Sequence, residues 1–326
     1  MIITRAPFRV SFGGGGSDLP AYYRKFGGCV LSASINKYIY LDIHPFFDEH
    51  RIQLKYSRTE NVDSPKSVQH SIFRRVLDRF NLSGVELTST ADIPSGTGLG
   101  SSSSFTVALL QCVYAYLGVH RSKASLASEA CTIEIDEIGS PIGKQDQYAA
   151  AFGGLNFIRF EPDDSVLVEP VTLSREKVRD FNSRLVMFYT GITRDSNEIL
   201  EEQGRAMEAG NGRVEAMHKM VRVAGDMRAC LQQGCLDPFG ELLHESWLLK
   251  RSLCDHISNQ RIDDLYALAR SAGAVGGKIL GAGGGGFLLL YCTPEKQPSL
   301  LQKLSFLKLF PFRIESGGTQ IVYYEQ

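Results

Sequence analysis

The stretch Ile93-Pro-Ser-Gly-Thr-Gly-Leu-Gly-Ser-Ser-Ser-Ser104 lies between a predicted strand and a predicted helix. Alternating apolar residues over 85–91 are typical of a strand, and apolar residues recur at helical spacing after the serines. Glycines at alternate positions allow positive φ and a close approach of the backbone to a ligand. The start of a helix adds unpaired N–H groups and about half a positive charge. We therefore predict a polyphosphate-binding loop, with a flexible Gly/Ser linker and helix cap as the alternative. The candidate phosphate-binding residues are Pro94, Ser95, Gly96, Gly98, Gly100, Ser101, Ser102 and Ser103.

The length and composition predict a folded protein with more than one core. The chain has 326 residues, of which 43% are hydrophobic and 10% aromatic. A chain of this size usually divides into two domains. Strand and helix patterns alternate in mixed order, which favours the α+β class. We place the boundary in the polar region between residues 170 and 182, which gives domains over 1–175 and 176–326.

The net charge and the cysteine content indicate which binding partners and which cellular compartment to expect. The net charge of −1 provides no basic footprint for nucleic acid or for an anionic membrane, so neither partner is expected. The seven cysteines include no CxxC pair, which predicts reduced thiols rather than a disulfide framework or a metal finger. No signal-peptide core and no apolar run of 18 residues occurs, so we expect a cytoplasmic protein. The sequence leaves open whether it forms a homodimer.

Two further glycine runs accompany the central loop. The first, over 13–16, is flanked by Arg9 and Asp18, and consecutive glycines suggest close approach of a ligand. The second, over 281–286, matches GxGxxG, but it precedes a strand, so we reject a dinucleotide-binding fingerprint. This run is predicted to be a strand-to-strand turn, which either packs tightly against another element or lines the site opposite the phosphate loop.

The polar residues near these runs are suited to phosphoryl transfer. Such a site needs a phosphate cradle, Mg²⁺, charge neutralisation and a group that orients or deprotonates the acceptor hydroxyl. Ser102 and Glu134, each at a helix end, are candidate Mg²⁺ ligands. Asp146 is the candidate group that accepts the hydroxyl proton, with Arg9 or Lys144 as a nearby cation.

Three segments together resemble the motifs of the GHMP kinases. They are Ala6-Pro-Phe-Arg-Val-Ser-Phe-Gly-Gly-Gly-Gly-Ser-Asp18, Pro94-Ser-Gly-Thr-Gly-Leu-Gly-Ser-Ser102 and Lys278-Ile-Leu-Gly-Ala-Gly-Gly-Gly-Gly-Phe287. Their order and spacing match the family along nearly the whole chain. The resemblance implies an N-terminal domain related to ribosomal S5 domain 2, a ferredoxin-like C-terminal domain, and ATP with a sugar in the cleft between them.

The resemblance also assigns roles by position. Ser102 and Glu134 fall on the Mg²⁺ ligands, and Asp146 falls on the catalytic aspartate. Arg9 falls on the basic residue near the transferred phosphoryl group, and Asp18 on a ligand of a substrate hydroxyl. The other candidate substrate-binding residues are Gly15, Gly16, Ser17, Lys144, Arg194 and Gly284. The sequence lacks the acidic-histidine pair of galactokinases, which argues against galactose.

Within the family, the first motif and Tyr189-Thr-Gly-Ile-Thr-Arg194-Asp195 look most like D-glycero-α-D-manno-heptose-7-phosphate kinases. That resemblance implies transfer of the γ-phosphoryl group of ATP to the C1 hydroxyl, giving the 1,7-bisphosphate for nucleotide-activated heptoses of capsule or lipopolysaccharide. The phosphate already on the sugar needs a cationic anchor, for which Arg194, Lys144 and Lys37 are alternatives. Another sugar-1-kinase, fucokinase-like or galactokinase-like, and a catalytically silent sugar sensor stay open.

Overall fold

The computed structural model describes residues 1–192, 196–208 and 212–325. Short 3₁₀ segments at Pro65–Ser67 and Asp255–Ile257 and a π-helical segment at Thr132–Glu137 supplement the regular elements. In chain order, the strands are β1 (Ile2–Gly13), β2 (Gly28–Pro45), β3 (Ile52–Lys55), β4 (Thr59–Val62), β5 (Val85–Ala91), β6 (Leu155–Phe160), β7 (Val166–Pro170), β8 (Leu185–Tyr189), β9 (Gly276–Ile279), β10 (Phe287–Tyr291), β11 (Lys308–Leu309) and β12 (Gln320–Tyr324). The helices are α1 (Pro20–Phe26), α2 (Ser71–Arg79), α3 (Ser101–Tyr116), α4 (Lys123–Cys131), α5 (Gln145–Phe152), α6 (Arg175–Ser183), α7 (Ser196–Glu208), α8 (Arg213–Gln233), α9 (Asp237–Arg251), α10 (Gln260–Ser271) and α11 (Gln297–Lys303).

The first sheet is built around the long strand β2. One half of β2 pairs with β6 and the other half with β5, while β1 runs antiparallel along its other edge. The local sequence predicts one short strand on each side of Pro7, over 2–6 and 9–12, and two strands over 29–35 and 38–43 joined by Asn36-Lys37. This division is wrong. Both strands continue past these positions. Pro7 of β1 pairs with Tyr38 of β2, and after a shift in register Arg9 of β1 pairs with Ser34 of β2. Such a bulge accommodates a residue without an N–H in a continuous strand.

The second sheet has the order β11-β8-β10-β9 and is antiparallel throughout. Amphipathic patterns in the sequence predict helices over 213–233, 238–253 and 260–271, and these are confirmed as α8, α9 and α10 to within two residues. Sequence reasoning missed α5, α6 and α7, whose sequences are short or mostly polar. The mixture of helices with two largely antiparallel sheets confirms the α+β class. After the second sheet the chain returns to the first, where β12 pairs with β1.

Helix α3 forms the centre of the core around the first sheet. Nearly all of its residues after Ser102 are buried, and Phe105, Leu109 and Val113 belong to the main hydrophobic cluster. This packing fixes the start of α3, and with it the preceding glycine-rich loop, against β1 and β2. A second cluster lies between the smaller sheet and the later helices, and contains Trp247 and Tyr266.

Among the described residues, no helix has the length and apolar character needed to cross a bilayer. All seven cysteines are free thiols.

Candidate active site

A cavity of about 760 Å³ lies where the two sheets and their helices meet. One wall comes from β1, the glycine turn that follows it, and the loop before α3. The opposite wall comes from α9, β9 and the turn after β9. The three sequence motifs, which are far apart in the chain, thus converge on one cleft. Residues that line it from both walls include Arg9, Gly15, Gly16, Asp18, Asp146, Lys250, Lys278 and Gly281, together with all eight candidate residues of the phosphate loop.

The phosphate loop has the backbone conformation that its sequence predicts. Gly96, Gly98 and Gly100 have φ of 75°, 86° and 77°, a region that L residues rarely adopt. Helix α3 begins directly after Gly100, and no serine side chain caps it. Ser101 and Ser102 instead line the cavity. The N–H groups of the first helical turn therefore face an open space, which fits an anion better than a flexible linker does.

The turn between β9 and β10 packs directly on the phosphate loop. A Cβ atom on Gly98 would lie 2.5 Å from the carbonyl oxygen of Leu280, and one on Gly281 would lie 2.5 Å from Cα of Gly98. Both alternatives for this glycine run therefore apply, because it packs tightly and Gly281 also lines the cavity. Gly284 lies elsewhere on the turn: its N–H donates to the carbonyl of Ile257 at 2.8 Å, and it is not a lining residue.

Arg9 and Asp146 form a bidentate ion pair beside the loop. Nε of Arg9 donates to Oδ1 of Asp146 and Nη2 donates to Oδ2, both at 2.7 Å. The third guanidinium nitrogen, Nη1, donates to the carbonyl of Gly98 at 2.7 Å. Asp146 lies in the first turn of α5, where the helix dipole favours a negative charge. Arg9 thereby ties the carboxylate of Asp146 to the phosphate loop.

Asp18 is a buried carboxylate that also lines the cavity. Its carboxylate accepts hydrogen bonds from the N–H of Gly16 at 2.9 Å and from Nε2 of Gln145 at 3.1 Å. Burial raises the pKa of Asp18, and the nearby Asp146 adds to this effect while the backbone donors oppose it. Gly143 is required here because a Cβ atom would overlap the carboxylate of Asp18. Ser17 points away and exchanges hydrogen bonds with the backbone of Cys29.

Ser102 and Glu134 are in contact, as their assignment to one metal site requires. Oγ of Ser102 donates to Oε1 of Glu134 at 2.6 Å, and Nε2 of Gln147 donates to the other carboxylate oxygen at 2.7 Å. Burial raises the pKa of Glu134, and these hydrogen bonds oppose the rise. A nearby cation would compensate the buried carboxylate. Cis ligands of Mg²⁺ lie about 2.9 Å apart, since Mg–O distances are about 2.1 Å. The two oxygens therefore fit Mg²⁺ that takes its other ligands from phosphate and water.

Of the three candidate anchors for a distal phosphate, Lys37 and Lys144 belong to the described residues, and neither lines the main cavity. Nζ of Lys144 forms a 2.9 Å ion pair with Asp164 and lies over the ring of Tyr23, beside a separate cavity of about 340 Å³. Lys37 lies over the ring of Phe310, with Nζ 5.3 Å from its centre. Arg194 lies outside the described residues.

Comparisons with known proteins agree with the motifs. Residues 67–154 match the GHMP kinases N terminal domain, and residues 227–307 match GHMP kinases C terminal. A D-glycero-alpha-D-manno-heptose 7-phosphate kinase of Campylobacter jejuni is 31% identical over 315 residues, which is 93% of each chain. The chain belongs to the GHMP kinase family.

Two further relatives widen the comparison. The crystal structure of a D-glycero-D-manno-heptose 1-phosphate kinase from Bacteroides thetaiotaomicron has a TM-score of 0.82 and 26% identity, with 100% of both chains covered. A bifunctional fucokinase/GDP-fucose pyrophosphorylase of Arabidopsis thaliana is 25% identical over 323 residues, which is 91% of this chain and 30% of that protein. This GHMP kinase is therefore a sugar kinase with the α+β fold of the family, and ATP is the family's phosphate donor.

Sequence reasoning missed two lysines of this GHMP kinase. Lys250 and Lys278 are both buried, at 4% and 2% exposure, and both line the cavity. Nζ of Lys250 donates to the carbonyl of Gly281, and Nζ of Lys278 donates to that of Phe12 at 3.3 Å. One signal was available for Lys250. It follows Leu243 and Trp247 at the helical spacing of the buried face of α9, where a charged residue is unexpected.

Sequence reasoning also missed the aromatic end of the cavity. Beyond Pro94, the cavity is lined by Tyr56, His70, Phe105 and Ile93. The rings of His70 and Phe105 have their centres 5.0 Å apart, and burial lowers the pKa of His70. Tyr56 follows β3, His70 precedes α2, and Ile93 and Phe105 lie before and within α3, so no single stretch of sequence indicated them together. An aromatic compartment next to a phosphate loop suits a nucleobase.

Proposed function

We propose that this GHMP kinase transfers the γ-phosphoryl group of ATP to the C1 hydroxyl of D-glycero-α-D-manno-heptose 7-phosphate, giving the 1,7-bisphosphate and ADP. The observation that carries phosphoryl transfer is the Arg9–Asp146 pair, held against a phosphate loop. The choice of heptose rests on the 31% identical relative, which aligns over 93% of each chain and is named for that sugar phosphate.

In this proposal Asp146 receives the proton of the acceptor hydroxyl. The sugar oxygen bonds to the γ-phosphorus while the bond from that phosphorus to the β–γ bridging oxygen breaks, and ADP leaves with the electron pair. The carboxylate of Asp146 takes the hydroxyl proton, which later passes to water. Arg9 orients the carboxylate through two hydrogen bonds and brings positive charge next to the transferred group. The glycine loop and the start of α3 hold the phosphates in place.

Ser102 and Glu134 would hold Mg²⁺ in this proposal. The ion supplies charge neutralisation for the phosphate oxygens when it is bound. Among the described residues, no group of three or more His, Cys, Asp or Glu side chains forms a metal site. That finding suits Mg²⁺, which usually takes only one or two protein ligands beside substrate phosphates.

The acceptor sugar would bind around Asp18. Oγ of Ser11 and Oε1 of Gln145 both belong to residues that line the cavity, and both atoms are buried without a hydrogen-bond partner in the part of the chain that the structure describes. Buried polar atoms are rarely left unpaired, so these two atoms are suited to sugar hydroxyls. Asp18 would accept a hydrogen bond from a third hydroxyl. Gly15 and Gly16 line the same end and leave room for the sugar ring. Adenine would occupy the aromatic end beside His70 and Phe105.

The proposal is tested by ADP release with a panel of acceptors. The panel contains heptose 7-phosphate, the free heptose, L-fucose and galactose, and phosphorus NMR locates the new phosphate. We expect kcat/KM for the 7-phosphate to exceed that for the free heptose by about 10–150-fold, since a charge-assisted contact to the existing phosphate contributes about 1.5–3 kcal/mol. Equal values for the two heptoses would refute the assignment, and ADP release with none of the sugars would favour the sugar sensor.

Arg194→Ala addresses the anchor of that existing phosphate. If Arg194 is the anchor, the substitution reduces the difference between the two heptoses and leaves the rate with free heptose nearly unchanged. If the difference persists, the anchor is Lys144, Lys37 or another cation. The second candidate function is a fucokinase-like sugar-1-kinase, which the similarity to the Arabidopsis fucokinase favours. Preferred phosphorylation of L-fucose would select it.

A further inference from the structure

Lys250 brings an unpaired buried charge into the cavity. Its side chain extends from the buried face of α9, and its Nζ donates to the carbonyl of Gly281. In the described ranges, no other hydrogen bond or ion pair involves this nitrogen. Because an ammonium group has three N–H donors, two are left for a ligand. A buried cation with unused donors costs folding free energy, so its presence in a cavity wall points to a ligand.

The groups that face Lys250 make its surroundings suitable for an anion. Arg9 and Lys278 repel it, while the carboxylates of Asp18 and Asp146 attract it. Cys254 is also near, and burial raises the pKa of its thiol to about 11. Both carboxylates already have other partners, because Asp146 is paired with Arg9 and Asp18 accepts amide hydrogen bonds. Burial, followed by the charge of Arg9, lowers the pKa of Lys250 to about 8. Among the described residues, Lys250 therefore has no carboxylate of its own, and an anion in the cavity would supply its counter-charge.

The position of Lys250 identifies which anion it would meet. Its partner Gly281 packs against Gly98 of the phosphate loop, and Asp146, which lines the same cavity, is paired with Arg9. Three of the five N–H groups of Arg9 already donate to Asp146 or to Gly98, which leaves at most two for a ligand. The phosphoryl group that passes between the loop and Asp146 has three non-bridging oxygens, so it can accept hydrogen bonds from a further donor. We infer that Lys250 is a second cation of the active site, and that it donates hydrogen bonds to the γ-phosphoryl group of ATP during its transfer.

This inference rests on the proposed phosphoryl transfer but not on heptose as the acceptor. Lys250 stays protonated throughout and only donates hydrogen bonds, so the balance of bonds and protons is unchanged. Its donors strengthen as charge builds up on the oxygens of the transferred group. Lys278 also lines the cavity, and burial and the charge of Lys250 lower its pKa well below the usual value.

The test compares Lys250→Met with Arg251→Met in the full-length chain. Arg251 is the next residue on α9, but it pairs with Asp263 at 2.6 Å and does not line the cavity. With the sugar that the wild type uses best, Lys250→Met should lower kcat by about 10²–10³-fold, as loss of one preorganised donor does. It should also weaken binding of the ATP analogue AMPPNP by about tenfold or more, but not binding of ADP. Arg251→Met should change neither.

Further measurements separate this role from other roles. The Lys250→Met protein should unfold at a temperature no lower than the wild type, since a buried charge has been removed. If Lys250→Met does not fold, Lys250→Gln takes its place. The kcat of the wild type should fall above about pH 8 as Lys250 loses its proton, and Lys250→Arg should shift this fall to higher pH, because guanidinium stays charged. Unchanged kcat and unchanged AMPPNP affinity would overturn the inference. A loss confined to the sugar phosphate, with free sugar unaffected, would also overturn it, because Lys250 would then anchor the existing phosphate. If heptose 7-phosphate is refused but another sugar is used, only the proposed substrate fails.

Discussion

Replacement of Asp146 by asparagine tests the centre of the proposed mechanism. The amide cannot accept the hydroxyl proton, so kcat should fall by about 10²–10⁴-fold, the usual contribution of a positioned base. The affinity for ATP should change little, because the phosphate loop and the start of α3 are untouched. Single-turnover kinetics with saturating ATP measures the chemical step itself.

The same substitution has a stability cost that follows from the geometry. Arg9 now donates to both oxygens of Asp146 at 2.7 Å, with side-chain exposures of 5% and 21%. In Asp146→Asn one oxygen remains as an acceptor, and the NH₂ group faces a donor. We expect the free energy of unfolding to fall by about 1.5–3 kcal/mol, the value of one charge-assisted hydrogen bond. Denaturant titration measures this loss separately from activity.

Asp164→Asn is the matched control for this experiment. Asp164 is also a carboxylate in ion pairs, with Lys144 at 2.9 Å and Arg24 at 3.2 Å, but it does not line the main cavity. It has a positive φ of 69°, which asparagine tolerates well. The control should therefore keep its kcat. Turnover within a few-fold of the wild type in Asp146→Asn would refute proton transfer to Asp146, and catalysis would then depend on positioning alone.

Three further predictions follow from the geometry of the site. Glu134→Gln should raise the Mg²⁺ concentration that gives the half-maximal rate at fixed ATP. An unchanged Mg²⁺ titration curve in this variant would show that Glu134 is a structural charge and not a metal ligand. Gly98→Ala should lower kcat/KM for ATP much more than Gly96→Ala, because both have positive φ but only Gly98 contacts Leu280 and Gly281; equal losses would assign the effect to backbone strain. The folded-state pKa of Lys250 is about 8 against its ordinary 10.5, so the unfolded chain binds more protons between these values. The free energy of unfolding should therefore rise with pH from about 8 to 10.5, and more in the wild type than in Lys250→Met; equal slopes in denaturant titrations would contradict this.

Local sequence patterns were sufficient for the parts of the site that depend on local backbone chemistry. Alternating glycines before a helix predicted the positive φ values of Gly96, Gly98 and Gly100, and all eight candidate residues of that loop line the cavity. The order strand, glycine loop, helix is encoded within some twenty residues. The glycine run over 281–286 could likewise be predicted from local sequence to be a strand-to-strand turn, because a strand directly follows it.

Continuity of the long strands depended on their neighbours. Pro7 and Asn36-Lys37 are local signals for a break, yet β1 and β2 continue through them. Pairing with each other, and with β5 and β6, satisfies the backbone on either side of the bulge. The hydrogen bonds that outweigh the local signal come from residues far along the chain, so no short window of sequence contains them.

The partners of the charged residues were decided by tertiary structure alone. From the residues alone, either Arg9 or Lys144 could be the cation beside Asp146, and the fold gives that place to Arg9 and pairs Lys144 with Asp164. Lys250 is one charged residue in an amphipathic helix, and only the packing of α9 against the Gly281 turn brings it to the cavity. A sequence specifies which groups a chain possesses and the local backbone that carries them. Distances between groups on separate elements are fixed by how those elements pack, because the energy of a charge depends on what surrounds it in space.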